Sequence, residues 1–405
     1  MPQEHGTNRP PWFGPSLAEG PLLAIFVFVA ALLGCGESDS APAADELAKP
    51  APKTAAAGDD AWRLFRADPA ATGVARGSLP ERLDVLWRFT VAKGWFESSA
   101  AIADGTVYVG ATDGNLYAID LADGGKKWEF KADDGFTASP ALRDGRVYVG
   151  DSFGKFYCVD GKTGELVWSF ETEAEISSSA NFHNDRVVFG SQDAVLYCLD
   201  AESGRVVWKY ESQDQIRCFP TVVGDRCFVA GCDGRLHVVD LTDGTLAAEV
   251  DLGAPTGSTP AVVGSMAYVG TEGNAFHGID WKRAEIVWTY ENPQRQFPFR
   301  SSAAATETIV VVGARDKLVH ALDAKTGKPV WSFTTRGKVD SSPVIVASRL
   351  FVGSDDGRLY ALDIHTGKET WRFELGGSVL ASPAVAAGRL VIGNDNGDLY
   401  CFGAQ

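Results

Sequence analysis

Ala321-Leu322-Asp323-Ala324-Lys325-Thr326-Gly327-Lys328-Pro329-Val330-Trp331 decides the fold, because the chain repeats it. Cys158-Val159-Asp160-Gly161-Lys162-Thr163-Gly164-Glu165-Leu166-Val167-Trp168 and Ala361-Leu362-Asp363-Ile364-His365-Thr366-Gly367-Lys368-Glu369-Thr370-Trp371 have the same shape. An Asp followed by Thr-Gly makes a side-chain-capped tight turn. The apolar residues before it and the Trp after it then belong to two adjacent strands. The Trp supplies a large flat surface suited to lie between neighbouring sheets.

Outward from this unit the period is regular. The docking Trp recurs at Trp87, Trp128, Trp168, Trp208, Trp288, Trp331 and Trp371, and Ala248 fills the one expected place without it. A Gly closing a β-branched run keeps step at Gly110, Gly150, Gly190, Gly270, Gly313, Gly353 and Gly393, with Ala230 in the remaining slot. Eight units of about forty residues follow, each reading as four short strands. Asp104-Gly105, Asp144-Gly145, Asn184-Asp185 and Gly224-Asp225 are two-residue hairpins joining first and second strands. Glu307-Thr308 and Ala347-Ser348 are poorer turn formers at the same place. The strands are nearly continuous in Val, Ile, Leu, Tyr and Ala, so both faces must be covered. The expectation is an all-β, eight-bladed β-propeller with four-stranded antiparallel blades. Its last copy stops before a fourth strand, and an orphan fourth strand, 83–90, precedes the first copy. Pairing that strand beside 397–402 closes the ring and removes an exposed edge.

The composition agrees. Of 405 residues, 45% are hydrophobic, which excludes a wholly disordered chain, and 44 Gly with 11 Trp suit a turn-rich β repeat. Asp plus Glu exceed Lys plus Arg by 53 to 37, for a net charge of −16, which disfavours nucleic acid as a partner. Residues 22–33 are an apolar run too short to span a bilayer, followed by Gly34 and Cys35. Leu32-Leu33-Gly34-Cys35 resembles a bacterial lipobox, so residues 1–34 are expected to be a lipoprotein signal peptide with lipidation at Cys35. Residues 35–60, rich in Ala, Pro, Ser, Asp and Lys, read as a disordered tether. Residues 61–405 are the expected propeller domain.

The Asp…Thr-Gly…Trp pattern resembles the tryptophan-docking repeat of the PQQ-like propellers over residues 83–405. Trp62-Arg63-Leu64-Phe65-Arg66-Ala67-Asp68 with Thr72-Gly73 is similar to the lead-in of such proteins. No Trp-Asp or Gly-His dipeptide supports the WD40 family of similar period. The resemblance implies one of two functions. The first is a BamB-like, non-catalytic, lipid-anchored scaffold facing the periplasm, which binds a β-barrel assembly component at the outer membrane. Gly36 lacks the Asp that resembles an inner-membrane retention signal. The second is a PQQ-dependent oxidoreductase. Its family binds PQQ with calcium beside adjacent cysteines, and no two Cys are adjacent here, nor is there a Cys-x-x-Cys-His haem motif. The scaffold is the favoured expectation, with no cofactor, metal or catalytic residue assigned. A carbohydrate- or peptide-binding propeller remains a third reading.

Three constellations matter for a site. His237, His277 and His320 take the third-strand position held elsewhere by Tyr117, Tyr157, Tyr197, Tyr360 and Tyr400. Equivalent side chains in a ring point the same way and do not converge on a metal, so they read as Tyr substitutes. Cys158, Cys198 and Cys401 read as small core residues, whereas bridging of Cys218 to Cys232 is left open. Residues just before each first strand, Glu97, Thr137, Ser177, Arg217, Gly257, Arg300, Asp340 and Leu380, should ring one mouth of the channel. Its charged members Glu97, Arg217, Arg300 and Asp340 are candidates for holding a small anion or a peptide carboxylate. Irregularities cluster between 230 and 300 and end in an insertion, Asn292-Pro293-Gln294-Arg295-Gln296-Phe297-Pro298-Phe299-Arg300. Arg295, Phe297, Phe299 and Arg300, with Trp95, Phe96 and Phe136 on equivalent loops, are the expected partner-binding residues.

Overall fold

The computed structural model describes residues 60–405; the signal segment, Cys35 and nearly all of the tether lie outside the described residues. Within them the chain forms eight four-stranded antiparallel sheets, the blades of an eight-bladed β-propeller. Blade 1 comprises Ala101–Ala103, Thr106–Gly110, Asn115–Asp120 and Lys126–Lys131, from inner to outer strand. Blades 2 to 7 repeat this order, and blade 8 borrows its outer strand. Asp84–Thr90 pairs antiparallel with Asp398–Gly403, with Val85 opposite Phe402 and Trp87 opposite Cys401. The closure expected from the repeat phase is present.

The middle strands are buried on both faces because each lies between two neighbouring blades; Leu116, Ala118 and Ile119 are fully enclosed. Hairpins between first and second strands and turns between third and fourth strands share one face. The loops between blades and those between second and third strands share the other, here called the mouth face. At the hairpins φ is +52° at Asp104 and +49° at Asp144, as two-residue turns require. Ala347 adopts +52° without the freedom of glycine.

Repetition gives no warning of how residues 61–75 run. This segment circles the axis against the first strands. Trp62 bridges Ile102 of blade 1, and Leu142 of blade 2 donates its N–H to Arg63 O at 2.8 Å. Asn181 Nδ2 of blade 3 and the Val222 N–H of blade 4 both reach Pro69 O. The N–H groups of Val262, Ala305 and Ile345 donate to the carbonyls of Ala70, Thr72 and Gly73, continuing through blade 7. Backbone groups of the inner strands that would otherwise face the channel are thereby satisfied. Arg66 is completely buried in this turn, and Nη2 donates to Ala303 O at 2.9 Å and Pro343 O at 2.6 Å. Desolvation pushes its guanidinium down to about 9. Gly73 is required beside it: φ is +66°, and a Cβ there would lie 2.0 Å from Arg66 Nη2.

Candidate functional site at the mouth of the channel

One chamber of about 350 Å³ opens on the mouth face along the axis. Its wall is a belt of hydroxyls contributed by the residue that enters each first strand. The Ser99 N–H donates to Ser139 Oγ at 2.9 Å, and the Ser139 N–H to Ser179 Oγ at 2.9 Å. After a gap, Phe219 donates to Thr259, Thr259 to Ser302, Ser302 to Ser342 and Ser342 to Ser382. Ser382 returns to Ser99 Oγ at 3.0 Å, so the belt crosses the seam between the two ends of the chain. Phe219 breaks the relay by replacing a hydroxyl residue. Phe65 comes up from the encircling segment and meets it edge to face at 6.0 Å, lining the chamber beside it.

The structure places all eight residues of the expected mouth, from Glu97 to Leu380, around this chamber. A wider vestibule of about 560 Å³ shares Glu97, Thr137, Ser177, Arg217, Gly257 and Arg300 with it. Arg315 joins Asp340 through two hydrogen bonds, 3.0 Å and 2.6 Å, and Arg300 pairs with Glu272 at 2.7 Å. Arg217 holds only Gln215 Oε1 and forms no ion pair among the described residues. Burial pushes up the carboxyl of Glu97, which lines the same chamber, and nearby Glu175 adds to the effect.

The expected partner-binding set divides. Phe96, Phe136 and Phe299 are core residues and cannot meet a partner: Phe96 and Phe136 are 0% exposed and Phe299 2%. They lie over Gly393, Gly110 and Gly270, whose missing side chains make the room. The same place in other blades holds Ile176, Ile216, Val339 and Val379, so this correction was readable from the repeat phase. Trp95, Phe297, Arg295 and Arg300 are exposed. The insertion is braced: Arg295 Nη1 donates to Asp316 O at 2.8 Å, and Asn292 Nδ2 to Asp316 Oδ2 at 2.7 Å. Trp95 stands three blades away from the insertion around the ring, so these residues do not form one patch.

Sequence reading missed Phe153, the most exposed of the large apolar side chains at 73%. It sits on the mouth face of blade 2, where equivalent loops carry Asp113, Asp193, Asp233, Asp316 and Asp356. Those carboxylates accept a hydrogen bond from the third-strand Tyr or His; Tyr117 donates to Asp113 at 2.6 Å. In blade 2, Tyr157 turns instead to Asp151, at 2.8 Å. The acid has moved two residues, which leaves an aromatic free on the surface. The signal was present as a Phe out of register.

His237 and His320 take the tyrosines' role, meeting Asp233 at 2.8 Å and Asp316 at 3.0 Å, while His277 turns to Leu252 O. All six cysteines described are free, Cys218 and Cys232 included. Cys158, Cys198 and Cys401 sit across from Trp168, Trp208 and Trp87, where three other blades place Ala. Burial pushes the Cys198 and Cys401 thiols up to about 12.

Fold and repeat together define an eight-bladed PQQ-like propeller. The family of the outer membrane protein assembly factor BamB matches residues 83–211, 192–319 and 315–404, and the chain belongs to that family. Among solved structures, BamB from Moraxella catarrhalis is 21% identical, with a TM-score of 0.69 over 80% of this chain and 98% of that one. The quinohemoprotein alcohol dehydrogenase from Comamonas testosteroni is 15% identical, with a TM-score of 0.74 over 85% and 81%. A europium-containing methanol dehydrogenase is 14% identical, with a TM-score of 0.71 over 85% and 98%. These likenesses show a shared fold. No curated protein matches the sequence. Among the described residues no group of three His, Cys, Asp or Glu side chains is placed to hold a metal ion.

Proposed function

We propose that this protein is a lipid-anchored, non-catalytic scaffold of the cell envelope, facing the periplasm, and that it holds a component of the outer-membrane assembly machinery on its mouth face. Phe153 carries the reading. A Phe exposed to 73% where the repeat specifies Asp, with its neighbour's hydrogen bond rerouted, is costly to keep on a monomer's surface without a partner. Trp95 and Phe297, with Arg295 and Arg300, extend the same face in the composition of interface hot spots. Membership of the BamB family supports the class of partner, and the lipobox ending in Cys35 supports the anchor.

Co-purification from intact envelopes tests this. The native chain should retain an integral β-barrel protein. A variant carrying Phe153→Asp, Arg295→Ala and Phe297→Ser should lose it while keeping its melting temperature. Capture unchanged by those substitutions would move the contact off the mouth face. The alternative, a PQQ-dependent oxidoreductase, predicts a quinone absorption band after incubation with PQQ and calcium, together with alcohol-dependent dye reduction.

A further inference from the structure

Phe65 lines the chamber, and the encircling segment to which it belongs is hydrogen-bonded to the first strands around the axis. A chain end entering from the vestibule suits this space better than a chain passing through it. The belt and the charges beside it decide which end. Each hydroxyl already accepts a backbone N–H, and none donates its own proton to another described group. Seven buried O–H donors are thus left facing one axis. The charges agree with them. Arg217 leans on the chamber without an acid of its own. Arg66, wholly buried below, donates to the carbonyls that directly follow Ser302 and Ser342, and its Nε and Nη1 have no partner. The chamber lining carries Arg217, Arg300 and Arg315 against Glu97 and Asp340, with Arg66 buried below, so cations outnumber carboxylates on this axis. Each belt oxygen keeps one lone pair besides its free O–H, so the cations set the preference: they repel a protonated amine, whereas a carboxylate accepts from the hydroxyls and pairs with Arg217. Phe65 and Phe219 offer an apolar wall beside it.

We propose that the chamber receives the free C-terminal carboxylate of a polypeptide whose last side chain is apolar. The carboxylate accepts from the belt hydroxyls and Arg217, and the last side chain packs on Phe65 and Phe219. This site is separate from the exposed aromatics assigned above to the scaffold contact, so either can fail without the other.

The test uses the full chain and three probes: an N-terminally labelled tetrapeptide ending in phenylalanine with a free carboxylate, its C-terminal amide, and N-acetylphenylalanine. Fluorescence anisotropy reads the labelled peptides directly, and competition reads the third. The free acid should bind at least about tenfold more tightly than the amide, and Arg217→Gln should weaken the acid by about tenfold with no effect on the amide. Arg217 is exposed, so the variant should fold, which an unchanged melting temperature confirms. Equal binding of acid and amide would show that the carboxylate is not what the chamber recognises, and no saturable binding by either would show a chamber that holds only water; both results overturn the proposal. Competition by N-acetylphenylalanine as strong as by the tetrapeptide acid would replace the chain end with a small free carboxylate. Capture of a barrel protein in the co-purification experiment bears on neither result.

Discussion

Trp208 and Ala248 occupy the same place in blades 3 and 4, and the joints they make show how the ring is held. At the regular joint the Trp208 indole lies on the third-to-fourth-strand turn of the next blade. Its Nε1 donates to Leu241 O at 3.1 Å, and Gly244 beneath it has φ +79°. A Cβ on Gly244 would stand 2.7 Å from the ring. Trp87, Trp128, Trp168, Trp288 and Trp331 repeat the bond. At the joint between blades 4 and 5, Ala248 leaves the space. Val238 stands opposite it where Ala or Cys usually faces the Trp, and Trp281 of the next blade swings toward Phe228, with ring centroids 5.2 Å apart. Trp281 donates to Gly264 O of its own blade, so its hydrogen bond does not cross the joint. A groove of about 510 Å³ remains beside it. One joint carries a cross-blade indole bond in addition to its packing, and the other lacks that bond.

The sharpest way to break the comparison is to empty both joints. Trp208→Ala should cost about 3–5 kcal/mol, because it removes a buried indole and orphans its acceptor. Trp281→Ala should cost roughly half as much, since that ring is partly solvated and the carbonyl it leaves is exposed. Urea unfolding of the two variants measures the difference, and equal losses would mean that the swapped tryptophan holds its joint as firmly as the regular one.

Glycine substitutions probe the same turns. Gly244→Ala meets both a positive φ and the Trp208 ring, and should destabilise by about 2 kcal/mol. Its counterpart Ala284 has φ +53° with no indole above it, so Ala284→Gly should stabilise by about 0.5–1 kcal/mol. A loss of stability in Ala284→Gly would show that the alanine methyl packs at the swapped joint. Restoring the repeat is a finer test. Ala248→Trp alone overpacks against Val238 and Trp281 and should cost about 1–3 kcal/mol, while adding Val238→Ala and Trp281→Leu should recover most of it.

Which parts were legible follows from the same contrast. Blade count, strand order and closure rest on features repeated eight times, and a signal that recurs in phase is read even where one copy lacks it. The eight mouth residues were found for that reason. The encircling segment occurs once: Trp62 to Gly73 binds mainly through backbone carbonyls, which have no sequence signature. Phe96, Phe136 and Phe299 were misjudged because they were read as aromatics in loops, although Ile176, Ile216, Val339 and Val379 in the same phase mark a core position. Phe153 was missed for the opposite reason. Departures stand out between residues 230 and 300, where they cluster, whereas Phe153 is a lone one in an otherwise regular blade and carries more information than several in an irregular one.

Blade 5 supplies the smallest effect, through its own departure. In five blades the third-strand Tyr or His meets an Asp four residues earlier, whereas His277 has Gly273 there. It is left with Leu252 O at 3.2 Å and Thr289 Oγ1 at 3.0 Å. Burial lowers the His277 pKa from its ordinary 6.5, only partly opposed by the Leu252 carbonyl and Glu291. The folded chain therefore keeps this imidazole neutral at pH values where the unfolded chain takes up a proton. Its contribution is fully present above the unfolded pKa of 6.5 and is lost as pH falls below it. His277→Tyr removes the titration and should flatten the stability profile between about pH 7 and pH 5. His320→Tyr is the control. That ring faces Asp316, whose burial favours the neutral acid but whose carboxyl is held below its ordinary range by His320 and Asn292. His320→Tyr keeps a ring that can donate to Asp316, as Tyr117 donates to Asp113, and so controls for the His-to-Tyr exchange itself. Chemical denaturation across that range reads both variants, and a slope unchanged by His277→Tyr would assign the acid sensitivity to another group.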